Sequence, residues 1–177
     1  MRRLIAVALA FAVLQPVHAR QEATAEIADQ RMQDEVAITA TLAAVYSVIS
    51  GPVGHERDWD AMRSLFTPDA RLTAITPAGL RGGTVEDYIT RSGPFLVQNG
   101  FTESELANRI EIYGNLAHAW SSYAGTWTNA DGSTGKVRGI NSFQLVRQED
   151  GRWLVQSIFW QAETPDNPLP ADMEAAR

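Results

Sequence analysis

Three side chains combine hydrogen-bonding groups with apolar neighbours: Tyr46 near Leu42, Val45 and Ile49, and Asn141 and Trp160 within RGINSFQLVRQEDGRWLVQSIFWQAE, residues 138–163. A phenol and an amide so placed each offer a hydrogen bond to a ligand oxygen, and the amide can serve an oxyanion. The indole adds a large apolar surface with one N–H at its edge. With Trp59, Tyr123, Phe143 and Gln156 they form the candidate lining of a pocket for a small, largely apolar molecule. The residue types single out no catalytic group.

Other constellations point to structure. After the first nineteen residues only His55 and His118 remain as imidazoles, far apart in sequence, and there is no cysteine, so neither a metal site nor a cofactor is expected. Ser121 and Ser122 lack the glycine elbow and histidine partner of a serine nucleophile. Glu103, Glu105, Glu111 and Arg109 read as a surface charge row on one strand, and Arg138 as the partner of a neighbouring acid. Gly82-Gly83 lacks the lysine and spacing of a phosphate loop. A weaker enzymatic reading takes its acid from the loop 51–60, with Asp58 or His55 over a pocket mouth.

The chain opens with Arg2-Arg3, an apolar run Leu4 to Leu14, and Val17-His18-Ala19, the three parts of a secretory signal with cleavage after Ala19. Residues 1–19 are thus expected to direct export, to the periplasm or outside the cell. An apolar run that short falls well below the roughly 20 residues a spanning helix needs, and no membrane span is expected after its removal. Without Arg2 and Arg3 the basic count falls from 15 to 13 against 21 acids, which disfavours nucleic acid as a partner. The remaining chain is one domain's worth and must hold together by packing, without disulfides.

What must position the candidate residues follows from periodicity. Residues 20–30 read as a flexible lead-in. Ile38, Leu42, Val45, Tyr46 and Ile49 then recur at helical spacing until Gly51-Pro52. Asp58 or Asp60 caps a second helix with Trp59, Met62, Leu65 and Phe66 on its apolar side, ended by Pro68. Residues 70–75 alternate as a strand, Leu80 to Gly83 make a turn, and Thr84 caps a third helix bearing Tyr88 and Ile89. From there period 2 takes over, near 104–113, 117–128, 136–148 and 152–162, with turns at Gly114-Asn115, at Asn129 to Gly132 and at Asp150-Gly151. Residues 164–177, with Pro165, Pro168 and Pro170, are expected to be an extended or disordered tail.

At Asp150-Gly151 a two-residue turn sets Asn141 across from Trp160 and Phe143 across from Ile158, and puts Leu145, Leu154 and Gln156 on that same face. A three-residue turn shifts the register by one. Helices first and a long meander after make an α+β domain. The element order, with DWDAMRSLFTPDARL and RGINSFQLVRQEDGRWLVQSIFW, resembles the nuclear transport factor 2-like superfamily in its SnoaL-like, ketosteroid-isomerase-like branch, over residues 31–163.

That resemblance implies a cone-shaped curved antiparallel sheet, three N-terminal helices on its concave face, a pocket between them, and a homodimer built on the convex face. It places Tyr46 near the tyrosine of ketosteroid isomerases, Ala74 where their carboxylate base stands, and Asn141 or Ser142 near their second acid. Steroid isomerisation by that mechanism is therefore disfavoured. The leading expectation is an exported domain binding a small apolar molecule, with weak isomerase or lyase activity as an extension. The rival is a non-catalytic dimerisation module whose cone is filled by its own side chains.

Overall fold

The computed structural model describes residues 15–174. Most of the signal expected in residues 1–19 thus lies outside the described residues. Helix α1, Gln15–Val48, begins upstream of its apolar stripe, and two compact units divide within it, between Asp34 and Glu35. The lead-in expected at 20–30 is helical, as its alanine, glutamate and glutamine content favours. Exposed Ile27 and Met32 belong to this first unit.

In the second unit α2 (Trp59–Ser64), β1 (Phe66–Thr76), β2 (Gly79–Gly83) and α3 (Val85–Asn99) precede the meander β3 (Thr102–Tyr113), β4 (Leu116–Thr128), β5 (Thr134–Arg147) and β6 (Trp153–Ala162). Asp58 caps α2 by accepting from Ala61 N at 2.8 Å. Thr84 and Asp87 make a reciprocal capping box on α3. The fold is α+β: one six-stranded sheet in the order β2-β1-β6-β5-β4-β3, with α1, α2 and α3 contributing to its core. Four of its pairings are antiparallel, and β1 lies parallel to β6, which makes the sheet mixed.

Three local expectations change. Leu80 to Gly83 are not the turn but most of β2, paired with β1 beyond a turn at Pro77-Ala78. A Cβ at Gly82 would press on the Thr73 side chain, so the missing side chains suit a close strand pair. Pro68 lies in β1, within the register shift between Phe66 and Arg71, where a strand can tolerate its lack of an N–H. The tail is ordered: Leu169 and Met173 are buried, a short 3-10 turn (η1) spans Ala171–Met173, and Ser122 Oγ donates to Met173 O at 2.6 Å. Two apolar anchors outweigh the extended tendency of the prolines.

Both register expectations for the β5–β6 hairpin hold, in different places. Next to the turn the loop has three residues, with Gln148 N donating to Arg152 O at 2.8 Å and Gly151 at φ 83°, a left-handed value that favours glycine. A bulge at Gln156 then restores Asn141 opposite Trp160 and Phe143 opposite Ile158. Trp153 and Val155 therefore join Leu145 in the core, and Leu154 does not.

Candidate functional site

The core is not filled. A cavity of about 380 Å³ lies between the helices and the inner face of the sheet. The inward side of α1 sends Val45 and Tyr46 into its wall, and Ile49 follows just past the helix end, because these positions continue the stripe that packs the helix on the sheet. Tyr88, Ser92, Phe95 and Leu96 come from α3, Leu72 and Ala74 from β1, Tyr123 from β4, Asn141 and Phe143 from β5, and Ile158 and Trp160 from β6. Tyr46, Tyr123, Asn141, Phe143 and Trp160 are thus brought together.

Trp59 and Gln156 are not brought into that wall. Trp59 packs beside the core against Gly93 of α3, whose Cβ would come 3.2 Å from the indole. Gln156 is the bulged residue, and its Oε1 accepts from Thr67 Oγ1 at 2.9 Å. The loop reading fares no better, since Asp58 is spent on its cap and lines a separate cleft with His55. Arg138 pairs with Glu163 at 2.7 Å, and His118 shares a 3.1 Å hydrogen bond with Ser142.

Glu103 is the residue that sequence reading missed. Strand β3 carries a register shift between Glu105 and Ala107, with Leu106 as the extra residue. Across such a bulge alternation reverses: Ile110 and Ile112 pack on the core, and Glu103 lies in the cavity wall instead of on the outside. Desolvation pushes the Glu103 carboxyl up to about 7, against the opposing pull of Asn141, whose Nδ2 donates to Glu103 Oε1 at 3.4 Å. Among the cavity-lining residues it is the one acidic side chain, and no lysine, arginine or histidine accompanies it.

Beside it runs a directed chain of hydrogen bonds. Asn141 Nδ2 donates to Tyr46 Oη at 3.1 Å, Tyr46 and Ser121 share a 2.7 Å bond, and Ser121 Oγ donates to Glu105 Oε1 at 2.5 Å. Asn108 Nδ2 donates to the other Glu105 oxygen at 2.9 Å. Ser121 has one proton and gives it to Glu105, so the phenol proton of Tyr46 goes to Ser121. Burial raises the Tyr46 phenol above its ordinary range, more than its hydrogen bonds to Ser121 and Asn141 lower it.

Chemically, the site offers a carboxyl poised to take or give a proton near neutral pH, in largely apolar walls. Among the described residues there is no group of three or more His, Cys, Asp or Glu residues able to hold a metal ion, and no helix long and apolar enough to cross a membrane.

Neither a protein-family model nor a curated protein sequence matches the chain. Solved structures do. A nuclear transport factor 2-like superfamily protein from Salmonella enterica serovar Typhimurium is 19% identical with a TM-score of 0.61, over 80% of this chain and 95% of its own. A conserved protein from Planctomyces limnophilus is 16% identical with a TM-score of 0.63, over 75% and 98%. The hexachlorocyclohexane dehydrochlorinase LinA-type3 from Novosphingobium barchaimii is 13% identical with a TM-score of 0.62, over 76% and 90%. Six strands in this order, three helices on one core and these likenesses together mean that the chain has the nuclear transport factor 2-like fold.

Proposed function

We propose that the cavity binds a small, largely apolar, uncharged molecule, and that Glu103 exchanges a proton with it in an isomerase or lyase reaction. One observation carries this reading: a carboxyl with a pKa of about 7 stands in the wall of a largely apolar cavity. A general base or acid works best when its pKa lies near the working pH, and a well-placed one contributes about 10²- to 10⁴-fold in rate. A dehydrochlorinase shares the fold, and loss of hydrogen chloride takes a proton from carbon.

The cavity of about 380 Å³ is on the order of a dozen water volumes, room enough for a small organic molecule. An interaction module with a filled cone would have closed this space with its own side chains. Native mass spectrometry of the protein purified from its own host tests the binding. A retained uncharged molecule of this size is the expected result. A protein that arrives empty and stays empty against a panel of one- and two-ring ketones, lactones and phenols would falsify the reading.

The proposal extends to export, supported by the basic, apolar and small-residue order of residues 1–19. It also extends to a homodimer through the outer sheet face, where Leu116 and Phe159 are exposed. N-terminal sequencing of the purified protein and sedimentation equilibrium check these two points.

A further inference from the structure

Ser121 and Ser122 are neighbours on β4, both fully buried, and alternation sends them to opposite faces of the sheet beside the Leu106 bulge of β3. On the inner face Ser121 Oγ donates to Glu105 Oε1 at 2.5 Å, one residue before the bulge. On the outer face Ser122 stands opposite Ala107, one residue after it. Its Oγ accepts from Ala107 N at 3.1 Å and donates to Met173 O at 2.6 Å, with the longer approach to Ala107 O, 3.2 Å, competing for the same proton. A ladder amide ordinarily points within the sheet at a backbone carbonyl, so a bond from Ala107 N to a side-chain oxygen belongs to the bulged form.

The tail is what fixes that hydroxyl. Met173 is fully buried, and its neighbour Asp172 pairs with Arg109 of β3 at 3.0 Å. The upstream end of the tail is held apart from this seat, by Leu169 N donating to Glu163 Oε1 at 3.0 Å. The seat beside β3 therefore rests on a buried side chain, a hydrogen bond and an exposed ion pair, and the ion pair carries little weight in water. Such a short segment can lift while the sheet stays folded.

The bulge has a competitor. Strict alternation along β3 would return Glu103 and Glu105 to the outer face, in line with Ala107, Arg109 and Glu111, where water solvates both carboxylates. Burial opposes the ionised form of Glu103 in the cavity wall, so its charge pulls toward that regular form. Resting on the reading of Glu103 as the proton-transfer group, we propose that Ser122 is a positioning residue for it and that the seated tail is a control element of the site. Met173 fixes the Ser122 hydroxyl, the hydroxyl holds the bulge, and the bulge keeps Glu103 in the cavity wall. With the tail lifted, this stretch of β3 becomes regular, Glu103 turns to the outer face and the cavity loses its carboxyl.

The test uses the full chain and two readouts by NMR: the titration midpoint of the 13C-labelled Glu103 carboxyl, and hydrogen exchange at the Ala107 amide. Ser122→Ala removes the hydroxyl, and Met173→Asp lifts the tail by placing a charge in its buried seat. Each should lower the midpoint from near 7 by about one unit or more toward the ordinary 4.5, a tenfold or larger loss of proton affinity, and speed Ala107 exchange by about 10-fold or more. Asp58→Ala, which removes the α2 cap, is the control for destabilisation alone: it should lower the Tm and leave the midpoint where it is in the wild type.

A wild-type midpoint near 7 that neither variant moves, whatever happens to their melting temperatures, overturns the positioning role and leaves the reading of Glu103 standing. Movement in Ser122→Ala with none in Met173→Asp overturns the tail as the control element. An equal shift in Asp58→Ala overturns the specific link, since any loosening of the fold would then do the same. A wild type already at 4.5 overturns the reading of Glu103 and this one with it.

Discussion

Glu103 and Glu105 stand two residues apart on β3, just before the same bulge, in opposite circumstances. Glu105 accepts from Ser121 at 2.5 Å and from Asn108 at 2.9 Å, which satisfies both of its oxygens within the protein. Glu103 has one long contact, 3.4 Å from Asn141, and otherwise faces a cavity whose walls are largely apolar. Satisfied polar groups hold a fold together, whereas a polar group left short of partners in an apolar cavity keeps its capacity for a ligand. Among the hydroxyls Tyr46 stands on the closed side, bonded to both Asn141 and Ser121.

The largest expected effect breaks this comparison on its open side. Glu103→Gln keeps the shape of the side chain and removes its proton chemistry, so turnover of any substrate found should fall by about 10²- to 10⁴-fold with ligand affinity retained. Steady-state kinetics paired with calorimetry would show it.

On the closed side the loss should appear in stability. Glu105→Ala removes the acceptor of two hydrogen bonds and should destabilise the protein by about 1.5–3 kcal/mol in urea unfolding. Glu103→Gln should leave stability at neutral pH unchanged or higher, because it removes a charge from an apolar wall. Equal destabilisation by the two variants would erase the distinction.

A pH series sharpens the contrast further. The Glu103 carboxyl titrates at about 7 in the fold, against an ordinary 4.5 for a free glutamate. Between those values the native state holds a proton that the unfolded chain has lost. The contribution of Glu103 to stability is therefore present at low pH and is lost as pH rises through about 7. Relative to Glu103→Gln, the wild-type Tm should fall as pH rises from about 5 to about 8.

The smallest expected effect concerns Asn141, which belongs to both sides by donating to Tyr46 and to Glu103. Asn141→Leu should weaken ligand binding by about 10-fold, with a stability change near 1 kcal/mol measured by thermal melting. A gain in stability with ligand binding intact would favour a structural role for this position.

Much of the scaffold is legible in the sequence because it follows from local rules. The stripe Ile38 to Ile49, the Asp58 and Thr84 caps and the four-strand meander appear where period and turn chemistry put them. The bulges are not legible, since one extra residue in a strand is decided by its partner strands. At Leu106 that extra residue reverses the faces of β3 and turns an expected surface glutamate into the cavity carboxyl. At Gln156 it exchanges Leu154 for Trp153 and Val155 in the core.

Trp59 was equally out of reach, because its packing depends on Gly93, more than thirty residues away. The tail misled through its prolines, which set an extended backbone but say nothing of where Leu169 and Met173 come to rest. Tyr46 drew attention by lying in a helical stripe, and the structure shows why a visible hydroxyl need not be an available one.

The most direct measurement is the titration of Glu103 itself, followed through its carboxyl carbon by NMR in the 13C-glutamate-labelled protein and assigned with Glu103→Gln. A midpoint near 7 is predicted, apart from the surface glutamates. A midpoint at the ordinary value of about 4.5 would mean that water reaches this carboxyl freely and would contradict the account.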